Sequence, residues 1–230
     1  VAQYLSRQGA QVLGFDLQAG KSEGNKIHYV AGDVTDGASV EQALDLAVAK
    51  FGGLNAAISC AGIAHSRRMV NQQGAMPLDE FQQVIAINLL GTFNVMRLAA
   101  AAMINLPTVG QSQERGMIIN TASIAAFEGQ IGQTAYSAAK GGIVSLTLPA
   151  ARELAQFGIR VMTIAPGLVD TPMFEKLTPE IKTALAASVP FPKRLAYPDE
   201  YAMLAQHIIE NTLLNGEVIR LDGALRLPPK

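Results

Sequence analysis

Apolar runs that alternate with stretches of helical periodicity constrain this chain most. Gln11–Asp16 (QVLGFD), Ile27–Ala31, Leu54–Cys60, Gly116–Thr121 (GMIINT), Ile159–Ala165 and Glu217–Leu221 read as strands. Asp36–Phe51 sets Val40, Leu44, Ala47, Val48 and Phe51 at helical spacing and stops at Gly52-Gly53. Leu78 to about Leu106 reads as one long helix with Asp79 as its N-cap, and Thr134–Phe157 as a helix stopped at Gly158. Thr178–Ser188 and Pro198–Asn211 read as two more. A strand apolar along its whole length needs cover on both faces, and strands that alternate with helices pair in parallel. The expected fold is an α/β domain with a doubly wound parallel sheet, one domain over residues 1–230. Polar Pro107–Arg115 (PTVGQSQER) is expected as a surface loop.

Composition agrees with a packed domain. With 49% hydrophobic and 16% charged residues in 230, the chain can bury a full core and is no disordered tract. A net charge of −1 gives no basic surface for nucleic acid or an anionic membrane. No continuous apolar run approaches the roughly 18 residues that span a bilayer. The low charge fraction is consistent with surface covered by other subunits. The lone cysteine, Cys60, excludes an internal disulfide and reads as a small residue at a strand end. His28, His65 and His207 lie in unrelated segments, so no metal site is indicated.

The chemistry concentrates in Ser123 and in Tyr136-Ser-Ala-Ala-Lys140. A phenol, with its reference pKa of about 10, is a weak acid-base catalyst near neutrality, and a nearby ammonium favours its ionised form. Four positions apart on a helix, Tyr136 and Lys140 share a face. A tuned phenol can exchange the proton of an alcohol or ketone, and a serine hydroxyl can bond the same oxygen as charge develops on it. The spacing alone also suits a solvated tyrosine and lysine on an ordinary helix. Context favours catalysis: a buried strand ending in Asn-Thr-Ala-Ser123, then a loop, then a helix rich in small residues that carries the pair.

With these motifs in this order the chain resembles the short-chain dehydrogenase/reductase family along essentially its whole length. Asp33-Val34, Cys60-Ala61-Gly62, Asn88-Leu-Leu-Gly91, the Ser/Tyr/Lys set, and Pro166-Gly167 before Thr171-Pro172 carry the likeness. Ile118–Tyr136, Gly158–Leu168 and Asn215–Gly223 look most like the type II 3-hydroxyacyl-CoA dehydrogenases, also called type 10 17β-hydroxysteroid dehydrogenases. The resemblance implies a Rossmann-type sheet and NAD-dependent interconversion of a secondary alcohol and a ketone, with a 3-hydroxyacyl-CoA as substrate. It implies that Tyr136 takes the proton, Ser123 bonds the substrate oxygen, Lys140 lowers the tyrosine pKa and binds ribose hydroxyls, and Asn88 orders a relay water. Asp33 and Val34 would meet the adenine, and Cys60, Ala61 and Gly62 the cofactor. Pro166, Gly167, Val169 and Thr171 would bracket the nicotinamide. Phe127–Gln133 and the region from Met173 to Phe191 would line the acyl pocket. A homotetramer is implied, in the cytoplasm or, in a eukaryote, the mitochondrial matrix. A 3-oxoacyl carrier-protein reductase, a steroid or alcohol dehydrogenase, and a non-catalytic structural or partner-binding protein are the alternatives.

Asp16 ends a strand where a dinucleotide fold meets the adenosine ribose, and its carboxylate accepts from ribose hydroxyls and repels a 2′-phosphate. No Lys or Arg lies between Asp16 and Lys21 to reverse that preference, so NAD is expected over NADP, with Leu17 flanking the adenine. Val1–Gly9 reads as the last turns of an amphipathic helix. The family's opening strand and its Thr-Gly-x-x-x-Gly-x-Gly turn are therefore expected ahead of Val1. In a 3-2-1-4-5-6-7 sheet that strand is central, and without it two strands lack a shared neighbour.

Overall fold

The computed structural model of the chain describes residues 1–20, 26–172 and 177–230. In chain order it contains α1 (Ala2–Arg7), β1 (Val12–Asp16), β2 (Ile27–Ala31), α2 (Gly37–Phe51), β3 (Ala56–Ser59), and a small hairpin, β4 (Val70–Asn71) with β5 (Gly74–Ala75). Then follow α3 (Leu78–Ile85), a π-helical turn (Ala86–Gly91), α4 (Thr92–Met103), β6 (Gly116–Thr121), a 3₁₀ turn (Ile124–Ala126) and α5 (Thr134–Ala155). β7 (Ile159–Pro166), α6 (Pro179–Ser188), α7 (Pro198–Glu210) and β8 (Val218–Leu221) complete it.

All the long strands pair in parallel. β1 pairs with β2 in one sheet, and β3-β6-β7-β8 form another in that order. Among the described residues no ladder joins β1 to β3.

The four-stranded sheet is covered on both faces, which explains its unbroken apolar runs. Ala57, Ile118 and Val161 pack on Met96, Ala99, Ala100 and Met103 of α4 and Ala151 of α5. The alternate residues Met117, Ile119, Met162 and Ile164 pack on Tyr201, Ala205 and Ile208 of α7. Arg160 interrupts the apolar pattern of β7 yet is only 7% exposed. Its guanidinium donates to the carbonyls of Ile208, Ile209, Asn211 and Leu214 at 2.8–3.2 Å and to Glu114 Oε1 at 3.0 Å. A buried cation is tolerable here because it satisfies the orphan carbonyls at the end of α7.

Several boundaries differ from the sequence reading. The strand expected over Leu54–Cys60 is only Ala56–Ser59, and the hairpin was not expected. Pro77, not Asp79, occupies the N-cap of α3; Asp79 lies in the first turn, where an acidic side chain complements the helix dipole. The single helix expected to Leu106 is α3, a π turn and α4. Thr92 Oγ1, at the start of α4, donates to the Asn88 carbonyl of that turn at 2.9 Å. The stretch Leu78–Met103 does reach membrane-spanning length and apolarity, with a mean hydropathy of 1.6 over its most apolar window. Half of that window is buried inside the fold, where α4 lies against β3 and β6.

Candidate active site

Parallel pairing puts the carboxyl ends of β3, β6 and β7 on one edge of their sheet. The end of β2 is brought to the same place: Asn94 Nδ2 donates to the Val34 carbonyl at 2.8 Å, and Val34 packs on Gly91, where a Cβ would come within 2.6 Å of it. Sites of α/β proteins form at such edges.

Ser123 follows β6 by two residues in extended backbone (φ −167°). Its Oγ accepts from Ala125 N at 3.1 Å and caps the 3₁₀ turn. Tyr136 lies in the first turn of α5 and packs in a cluster with Val84, Ile85, Leu89, Ala135 and Ala139. Burial pushes its phenol above the ordinary value of 10, and the neighbouring Ser123 hydroxyl opposes that shift.

Lys140 is 4% exposed. Burial pushes its ammonium down to about 8. Its Nζ donates to the Thr121 carbonyl at 2.7 Å and lies 5.8 Å from the centroid of the Tyr136 ring. The expectation that Lys140 brings the tyrosine pKa down is corrected here: the ammonium is turned to a backbone carbonyl, and desolvation dominates at the phenol. The sequence reading did not single out Thr121. Besides taking Lys140, its hydroxyl donates to the Ser59 carbonyl at 2.6 Å and lies 2.7 Å from the buried Tyr201 hydroxyl. Its place in the run of small polar residues at the end of β6 was the available signal.

Asn88 sits on the π turn and is fully buried. Its amide pairs reciprocally with Ile63: Ile63 N donates to Oδ1 at 2.8 Å and Nδ2 donates to the Ile63 carbonyl at 2.9 Å. Asn88 thus braces the segment after β3. π turns recur at functional positions, and this one is seated by that side-chain pair. Gly62 must be glycine for the same reason, since a Cβ there would fall 2.8 Å from Asn88 Oδ1 and 3.7 Å from Lys140 Nζ.

The other expected positions separate into exposed and packed groups. Asp16 and Leu17 are exposed at the end of β1, Leu17 at 71%; Gln18 N donates to Asp16 Oδ1 at 3.3 Å. Asp33 is a turn residue whose Oδ1 accepts from both Thr35 N and Thr35 Oγ1 at 2.8 Å. Cys60 and Ala61 are exposed beyond β3. Pro166 closes β7; Gly167 N donates to the Leu221 carbonyl at 2.9 Å, and a Cβ on Gly167 would lie 2.9 Å from Asp222 Cα. Val169 bridges to Ala196, and Thr171 is half-buried. Lys21 and the first part of the expected acyl region, Met173–Lys176, lie outside the described residues.

The family model for the short chain dehydrogenases matches residues 1–182. The 3-hydroxyacyl-CoA dehydrogenase type-2 of Bos taurus is 52% identical, covering 99% of this chain and 90% of that protein. Its Drosophila melanogaster namesake is 51% identical over 99% of this chain and 92% of its own length. The crystal structure of 3-hydroxyacyl-CoA dehydrogenase type-2 from Mycobacterium avium has a TM-score of 0.93 at 42% identity, covering 99% of this chain and 91% of that one. The sequence likeness, the shared architecture and the serine, tyrosine and lysine at the sheet's carboxyl edge have one source: this chain belongs to the short-chain dehydrogenase family.

Proposed function

We propose that the protein catalyses reversible, NAD-dependent oxidation of a secondary alcohol, with a 3-hydroxyacyl-CoA as its substrate. The observation that carries the reading is the placement of the Ser123 hydroxyl beside the Tyr136 phenol, with the Lys140 ammonium buried next to them. In alcohol oxidation Ser123 holds the substrate oxygen, and Tyr136 Oη, once it has lost its own proton, accepts the hydroxyl proton. In ketone reduction the phenol returns it. A bound nicotinamide supplies the hydride acceptor or donor.

The residues present suit that cofactor. An ammonium has three N–H donors. Among the described residues Lys140 gives one to protein, to Thr121, which leaves donors for ribose hydroxyls. Asp16 offers an exposed carboxylate at the end of β1 with an exposed leucine beside it. These favour a dinucleotide without a 2′-phosphate, and so NAD over NADP. Asp33, Val34, Gly62 and Gly167 shape the surroundings through the packing described above. Asn88 holds Ile63 and with it the loop facing Lys140, from which it would order a relay water. The thioester substrate follows from the names borne by the relatives at 50–52% identity. Exposed apolar side chains along α4 and the preceding turn (Leu90, Phe93) and on α5 (Leu148) support a homotetramer.

The test is a comparison of kcat/KM for 3-hydroxybutanoyl-CoA, a 3-hydroxyacyl carrier protein and a 17β-hydroxysteroid, each with NAD and NADP. The proposal expects the CoA thioester with NAD to lead. A lead for the carrier-protein substrate with NADP would refute it.

A further inference from the structure

Twelve residues separate Ser123 from Tyr136. The serine is fixed by β6 and the tyrosine by α5, but the loop between them needs its own support. It presents two apolar side chains outward, Phe127 at 47% and Ile131 at 49% exposure. Gly129 brings it flush with α5, where a Cβ would fall against Ser137 Oγ.

What grips the loop comes from a distant part of the sequence. Arg220 on β8 donates to both Glu128 oxygens, at 2.8 and 2.9 Å. Two further donors go to Asp222 Oδ2 at 2.7 Å and to the Leu225 carbonyl at 3.0 Å. The guanidinium also lies over the Phe127 ring, 5.0 Å from its centroid. Arg226 adds a second cation, 3.1 Å from Asp222 and 3.5 Å from Glu128. Two arginines thus balance two carboxylates in a partly buried network. Further along, Gln130 Nε2 donates to the Pro228 carbonyl at 3.1 Å and Ile131 N to the Pro229 carbonyl at 3.0 Å. Leu225, 2% exposed, is packed with Ile124 and Val189 and fixes the strap to the core.

We propose that Arg220 is a positioning residue: through Glu128, with the strap 222–229, it holds the Phe127–Ile131 loop as a preformed apolar wall for the acyl chain. The inference rests on the acyl-CoA reading for its substrate. A bidentate guanidinium–carboxylate pair fixes orientation as well as distance, which a lysine cannot reproduce. Small displacements of a positioning element are costly in turnover and binding.

The experiment compares the intact protein with Glu128→Gln, Arg220→Lys, Arg220→Met and the double variant Glu128→Gln/Arg220→Met. Kinetics are read with NADH and 3-oxohexanoyl-CoA, and hydrogen exchange is read at the Ile131 amide. Arg220→Met should raise KM about tenfold with a smaller change in kcat, and should speed exchange at Ile131. Arg220→Lys should recover only part of the loss, and the double variant should be no worse than Arg220→Met alone, because both changes break one interaction. Unchanged KM with unchanged Ile131 exchange in Glu128→Gln and Arg220→Lys would overturn the proposal. So would losses that add in the double variant. If the intact protein turns over no 3-oxoacyl-CoA, the substrate reading fails by itself; Ile131 exchange then decides the strap, faster exchange in Arg220→Met supporting it and unchanged exchange overturning it.

Discussion

Lys140 Nζ donates to the main-chain carbonyl of Thr121 at 2.7 Å, from a position only 4% exposed. The sheet edge thereby holds a cation out of water, and burial brings its pKa from 10.5 to about 8. The charged form is disfavoured in the folded state, so the cost is fully present below pH 8 and is relieved as pH rises toward 10.5. A shift of that size corresponds to about 3 kcal/mol.

Lys140→Met is therefore expected to abolish turnover while raising stability at pH 7. Removing the buried charge gains about 3 kcal/mol, and leaving the Thr121 carbonyl unpaired costs about 1–2 kcal/mol. The advantage should shrink between pH 8 and pH 10.5 as the native lysine becomes neutral. Urea denaturation of both proteins across that range measures it; an advantage that grows with pH would contradict the assignment.

Ser123→Ala should move the pH–rate profile as well as lower the rate. Burial raises the Tyr136 pKa and Ser123 opposes it. Without the hydroxyl the phenol stays protonated to higher pH, so the rising limb of alcohol oxidation should shift to more alkaline values. The rate at neutral pH should fall by about 10²–10³, the loss typical of one donor to a developing oxyanion. A lower rate with an unmoved limb would leave Ser123 without influence on Tyr136.

Asp16→Ala with Leu17→Arg should raise the use of NADP relative to NAD. One repulsive carboxylate is lost and an attractive cation is gained at an exposed strand end. The ratio of kcat/KM for the two cofactors is the readout, expected to change by about tenfold or more. An unchanged ratio would separate Asp16 from cofactor choice.

The sequence revealed what depends on neighbours along the chain. Alternating apolar runs and helical faces locate the strands and helices. Ser123, Tyr136 and Lys140 are legible because β6, a loop and α5 follow one another. What stayed hidden depends on partners far away. The π turn is seated by Asn88 bonding Ile63, 25 positions back. Arg160 looks misplaced in an apolar strand until its carbonyl partners, 48 to 54 positions on, are seen. Glu128 and Arg220, 92 positions apart, read separately as ordinary surface charges. The direction of the Tyr136 shift was misread because helical spacing shows a shared face but not where the lysine's proton donors point.

Tyr136→Phe provides the most direct test of the central claim, that the phenol is the proton acceptor in a nicotinamide-dependent alcohol oxidation. The measurement is kcat for 3-hydroxybutanoyl-CoA in the native protein and the variant, with NAD binding to both followed by calorimetry. The account expects kcat to fall by about 10²–10⁴ with NAD affinity nearly unchanged. A variant that keeps more than about half of the native kcat would contradict it, since removal of a general base costs far more.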